Sequence, residues 1–160
     1  MKLKTRDLFI KTLEQMGCEY YVDDDEICFR WQGGQFCASV KNDKLDVIIW
    51  YYWAEMEVRD TVSIQRWKDI VNNANGQFIS KAVYTIDEEE NVFCIYNEAS
   101  FQLHPQITDK EMVVRTILER LFILRRFIEK EFDVEYRKNR PMHEIDKEFP
   151  FIISPAKWVN

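Results

Sequence analysis

Glu26-Ile27-Cys28-Phe29-Arg30-Trp31-Gln32-Gly33-Gly34-Gln35-Phe36-Cys37-Ala38-Ser39-Val40-Lys41 contains two strand patterns separated by one turn signal. Before the glycines, Ile27, Phe29 and Trp31 alternate with Cys28, Arg30 and Gln32; after them, Phe36, Ala38 and Val40 alternate with Cys37, Ser39 and Lys41. Successive side chains of a strand point to opposite faces, so each run has one apolar face. Gln32-Gly33-Gly34-Gln35 reads as the turn of a β-hairpin, which makes the two runs antiparallel neighbours.

The same logic extends in both directions. Residues 19–23 form a strand that precedes the Asp24-Asp25 turn, and Asn42-Asp43-Lys44 turns the chain into residues 45–53. Upstream, Leu8, Phe9, Thr12, Leu13 and Met16 recur at helical spacing, and Gly17 comes next, where a helix stops. Downstream, Ile64, Trp67, Ile70, Val71 and Ala74 repeat that spacing over residues 60–74, ahead of Asn75-Gly76. Residues 78–86 and 91–103 are strands flanking Asp87-Glu88-Glu89-Glu90, a solvated hairpin tip. Thr108-Asp109-Lys110-Glu111 reads as a capping box, with Thr108 as the cap, opening a long helix through Phe132. Pro141, Pro150 and Pro155 punctuate a C-terminal tail with no clear period. The expected class is α+β: an antiparallel sheet of about six strands with helices packed against it, in the order α-β-β-β-β-α-β-β-α plus that tail.

Composition bounds the function. With 160 residues, 46% hydrophobic and 31% charged, the chain has the size and make-up of one globular domain. A net charge of −6 repels phosphate backbones, which argues against nucleic acid as a partner. The longest strongly apolar run, residues 47–53, falls far short of the roughly 20 residues of a membrane span, and no secretory-signal pattern opens the sequence. The expected location is the cytoplasm. Cys18, Cys28, Cys37 and Cys94 lack CxxC spacing and read as reduced structural thiols, so no metal or other cofactor is expected. The two histidines, His104 and His143, stand in loop contexts, and P-loop and dinucleotide motifs are missing. No catalytic residue is assigned; a thiol enzyme built on Cys94 and His104 is the rejected rival.

The stretches Met16-Gly17, Glu19-Tyr20-Tyr21-Val22-Asp23, Ile27-Cys28-Phe29-Arg30-Trp31 and Val71-Asn72-Asn73-Ala74-Asn75 leading into residues 78–84 resemble the YbjN-like family, whose fold is shared with type III secretion chaperones. The resemblance spans residues 5–132. It implies a compact α+β domain, commonly a homodimer, that binds protein and performs no chemistry. Residues 1–132 are accordingly expected to form a YbjN-like domain, and residues 133–160 a C-terminal extension docked on that domain or on a partner subunit.

Two features carry more apolar surface than one core needs. In residues 45–53, Leu45, Val47, Ile49, Tyr51 and Trp53 line one face, and Ile48, Trp50 and Tyr52 the other. In the long helix, Val114, Ile117, Leu118, Leu121, Leu124 and Ile128 form the core stripe, while Met112, Ile123 and Phe127 fall opposite. Ile48, Trp50, Tyr52, Met112, Ile123 and Phe127 are therefore the candidate partner-binding residues, with Phe149, Phe151, Ile153 and Trp158 of the tail as rival cover for the helix. Arg125 falls within the core stripe, where an unpaired charge is costly; it is either paired with an acidic residue, snorkelling, or facing an anionic ligand. A chaperone-like or regulatory protein-binding module, self-associating as a homodimer, is the leading expectation. The alternative is a small-ligand-binding regulatory domain, its aromatic pocket drawn from Trp31, Trp50, Tyr52 or Trp67 with Arg30 or Arg125.

Overall fold

The computed structural model describes residues 4–57 and 61–139, with side chains as far as Asp133. Its elements are α1 (Thr5–Gln15), β1 (Tyr20–Asp23), β2 (Glu26–Trp31), β3 (Gly34–Val40), β4 (Asp46–Glu57), α2 (Thr61–Asn75), β5 (Lys81–Asp87), β6 (Val92–Gln102) and α3 (Lys110–Asn139). The strands form one six-stranded antiparallel sheet in the order β1-β2-β3-β4-β6-β5. The expected order of elements and the α+β class both hold. By its contacts the chain divides into two compact units, Met1–Tyr51 with Glu98–Leu121 and Tyr52–Asn97 with Phe122–Asn160.

In the first unit, the β2–β3 hairpin closes through Gln32 and Gly33, whose φ angles are 47° and 78°. Positive φ at both central residues is the twist-matched geometry of a two-residue hairpin, so Gly34 already belongs to β3. The register then runs Tyr20 to Phe29 to Phe36 to Tyr51 across four strands, placing these rings on one face. Phe29 stacks on Phe36 at 5.3 Å and Phe36 on Tyr51 at 4.9 Å, and Phe9 of α1 meets Phe29 edge-on at 5.8 Å. Helix α1 stops because Gly17 takes φ 74°, letting the Cys18 N–H reach the Leu13 carbonyl and the Gly17 N–H the Glu14 carbonyl, a Schellman motif.

In the second unit, α2 buries Ile64, Trp67, Ile70, Val71 and Ala74, the stripe read from the sequence. Trp67 meets Trp53 of β4 edge-on at 6.2 Å and lies flat against Phe132 of α3, with 3.7 Å between ring centroids. The Asn75 side chain donates from Nδ2 to the Ala82 carbonyl at 2.8 Å and accepts the Ala82 N–H at 2.7 Å. An amide side chain here takes the part of a strand neighbour.

Four boundaries differ from the sequence reading. Strand β5 begins at Lys81 rather than near Phe78, because the Gln77 and Phe78 N–H groups both return to the Ala74 carbonyl and close the end of α2. The cap of α3 is Asp109, not Thr108: its Oδ1 accepts the Met112 N–H at 3.0 Å, satisfying one of the free amides of the first turn. Helix α3 also runs on to Asn139 instead of ending at Phe132, so the start of the expected tail is helical. Strand β4 likewise continues past Trp53 to Glu57. Among the described residues, no helix is long and apolar enough to cross a membrane.

Candidate functional site

From Val47 to Trp53 strand β4 separates its two faces, and beyond Trp53 the phase reverses, with Ala54 and Met56 buried and Glu55 and Glu57 exposed. Val47, Ile49, Tyr51 and Trp53 are buried, whereas Ile48 and Trp50 are half-buried and Tyr52 is exposed. Helix-covered and open faces of one strand explain why both rows are apolar yet only one is core. Within the first unit, Trp50 Nε1 donates to Glu98 Oε2 at 2.9 Å, which satisfies the indole and leaves its ring available on the sheet surface. Within the second, the Tyr52 ring lies 5.1 Å from that of Tyr96.

The helix candidates divide between the units. Met112, in the first, is 56% exposed one turn into α3. Ile123, in the second, is 44% exposed, and Phe127 is half-buried with its ring 5.0 Å from Phe78. Phe78 thus supplies a neighbour for Phe127 that the sequence reading assigned to a strand. Ile79 beside it is 86% exposed, the most exposed large apolar side chain among the described residues. It was missed because it was counted into β5. Phe149, Phe151, Ile153 and Trp158, the rival cover, lie outside the described residues, as do His143 and the prolines of the tail.

Arg125 pairs through Nε with Glu129 Oε1, one helical turn on, and its guanidinium lies 5.5 Å from the centroid of the Trp53 ring. Both contacts lie within the second unit. Trp67 is fully buried. Trp31 and Arg30, by contrast, help line a shallow depression of about 450 Å³ with Glu19, Gln32 and Gln35 in the first unit.

Neither Cys18 nor Cys94 is tuned as a nucleophile. Burial pushes the Cys18 thiol above its ordinary value, partly offset by Arg115. Burial likewise raises Cys94, with Glu55 and Asp87 adding to the rise and a hydrogen bond with Thr85 opposing it. A catalytic thiol needs the reverse, a depressed value. His104 is exposed, and its Nδ1 accepts the Gln106 N–H at 3.1 Å, the geometry of a turn.

Comparison with known proteins finds structural likeness without sequence likeness. No family model matches the sequence, and no curated protein matches it. YbjN from E. coli superposes with a TM-score of 0.55 at 14% identity, covering 78% of this chain and 89% of that one. An uncharacterized protein from Methanothermobacter thermautotrophicus gives 0.57 at 11% identity, covering 82% and 98%. A chain of the HopA1–SchA chaperone–effector complex gives 0.48 at 11%, covering 78% and 92%. The chain has a YbjN-like fold.

Proposed function

We propose that this chain is a cytoplasmic protein-binding module of chaperone-like or regulatory type that performs no chemistry and associates as a homodimer. The observation that carries the reading is the open face of β4, where Ile48 and Trp50 stand half-buried opposite a fully buried row. Tyr52, Met112, Ile123 and Phe127 extend the surplus apolar surface on their own elements. Residues 1–132 are the binding domain, and residues 133–160 an extension docked on it or on the partner subunit. Interface energy concentrates in a few buried aromatic anchors, so Trp50 is the residue expected to matter most.

Light scattering coupled to size exclusion tests the dimer directly. The expected mass is twice 19.4 kDa at micromolar concentration, and a clean mass of one chain refutes self-association.

The depression beside Arg30 and Trp31 favours one second reading, a small anionic ligand held there by the guanidinium, with Arg125 as the other candidate ligand-facing charge. A thermal-shift screen of anionic metabolites tests it. A melting temperature that none of them raises removes this alternative.

A further inference from the structure

The β2–β3 hairpin brings together three groups that the sequence keeps apart. Cys28 and Cys37 are direct cross-strand partners, and Glu26 precedes Cys28 by two residues on the same face. The two sulfurs and a Glu26 carboxylate oxygen all lie within 4.8 Å of one another. Both cysteines are shielded, at 0% and 6% exposure, although they sit on the face away from α1. The register explains the shielding: Tyr21 of β1 and Trp50 of β4 stand at the two ends of the same row, which runs Tyr21, Cys28, Cys37, Trp50.

We infer that Glu26, Cys28 and Cys37 form a binding site for a thiophilic divalent cation of the zinc type. Two sulfur donors and one carboxylate are a ligand set zinc accepts, with the fourth position left to water or another donor. Metal–sulfur bonds of about 2.3 Å in a tetrahedral site need movements on the order of 1 Å from the present spacing, within reach of side-chain rotation. Binding displaces two thiol protons to the buffer, and Glu26 enters as the carboxylate. Arg30, two residues beyond Cys28 on the same face, stands on the other side of the thiols from Glu26 and adds positive charge beside an anionic ligand set.

A disulfide is the competing use of such a pair, and the convergence of the Glu26 carboxylate on the two sulfurs points to the metal. Counting back from the two-residue turn makes Cys28–Cys37 a non-hydrogen-bonded pair, with Cα atoms about 4.5 Å apart. That lies within the range a disulfide tolerates, so bridge formation is the outcome that competes with metal binding.

Cobalt(II) titration of the reduced, metal-free full chain is the test, because thiolate-bound cobalt gives a charge-transfer absorption that oxygen ligands do not. The expected result is one cobalt per chain with that absorption, displaced by zinc and retained when Cys18 and Cys94 are both changed to Ser. Changing Cys28 and Cys37 to Ser abolishes it. Glu26→Gln, at a half-buried strand end, weakens binding by at least the roughly tenfold that even outer-shell partners contribute. If the double cysteine variant fails to fold, the wild-type titration and Glu26→Gln still decide. Absence of the thiolate band in the wild type, its survival without Cys28 and Cys37, or unchanged binding by Glu26→Gln overturns the site. So does re-formation of a Cys28–Cys37 disulfide in the presence of excess zinc.

Discussion

The indole N–H of Trp50 donates to Glu98 Oε2 at 2.9 Å, joining β4 to its sheet neighbour β6 on the face opposite the core. This bond orients the ring without burying it, which is how an aromatic side chain is held ready for a partner at low entropy cost. Trp50→Ser is therefore expected to weaken self-association by about 2 kcal/mol, roughly thirtyfold, with the circular dichroism spectrum unchanged. Global unfolding of the variant instead shows that Trp50 is core.

Trp67 and Phe132 are the opposite case. Trp67 is fully buried, stacked on Phe132 and edge-on to Trp53, and Phe132 belongs to the turn of α3 where the sequence pattern stopped. Trp67→Ala and Phe132→Ala should each destabilise by about 3–5 kcal/mol in urea unfolding. A loss below about 1 kcal/mol for Phe132 shows that α3 does not pack there.

The cap of α3 gives a cleaner discrimination because two adjacent residues compete for the role. Asp109→Ala removes the acceptor of the Met112 N–H and should cost about 1 kcal/mol, while Thr108→Ala should change stability by a few tenths. Equal effects, or the reverse order, return the cap to Thr108.

Asn75 holds both the N–H and the carbonyl of Ala82. Asn75→Ala leaves a part-buried donor and acceptor without partners, at a cost of about 1–3 kcal/mol. Asn75→Asp restores the acceptor but not the donor and should fall between wild type and Ala. Native-state hydrogen exchange at the Ala82 amide reads the same contact, and unaltered protection there in Asn75→Ala removes the clasp from the account.

The thiols set a pH dependence whose sign is fixed. Burial raises Cys18 and Cys94 above their unfolded values, so the folded chain holds these protons more tightly than the unfolded chain does. Their contribution to stability is complete below the unfolded thiol value and is lost as pH rises through the folded one. Alkylation of Cys18 and Cys94 should accordingly be slow at neutral pH and accelerate only on the alkaline side. Fast modification at pH 7 means that one of them is an activated thiol.

Local pattern made most of the fold legible. Alternation in residues 26–41 identified a hairpin, the stripes Ile64, Trp67, Ile70, Val71, Ala74 and Val114, Ile117, Leu118, Leu121, Leu124, Ile128 identified helix faces, and all of these stripe residues are buried except Ile117, which is half-buried. Ends were less legible, because a helix terminus is decided by which hydrogen bonds its last amides and carbonyls find. Asp109 and Thr108 both have capping chemistry, and only the path of the backbone selects between them. Phe78 looked like the start of a strand until the return of its N–H to Ala74 placed it in a turn.

The sequence by itself determined the order of elements, the antiparallel class and the presence of two apolar rows on β4, because periodicity is a property of neighbours along the chain. Tertiary structure decided which row of β4 is buried and which is open, that Arg125 pairs with Glu129 beside Trp53, and that Glu26, Cys28 and Cys37 converge. The physical reason is that burial and ligand geometry depend on strand register and on what lies across it. Two cysteines with eight residues between them are no metal motif, yet a two-residue turn set midway between them makes them face each other.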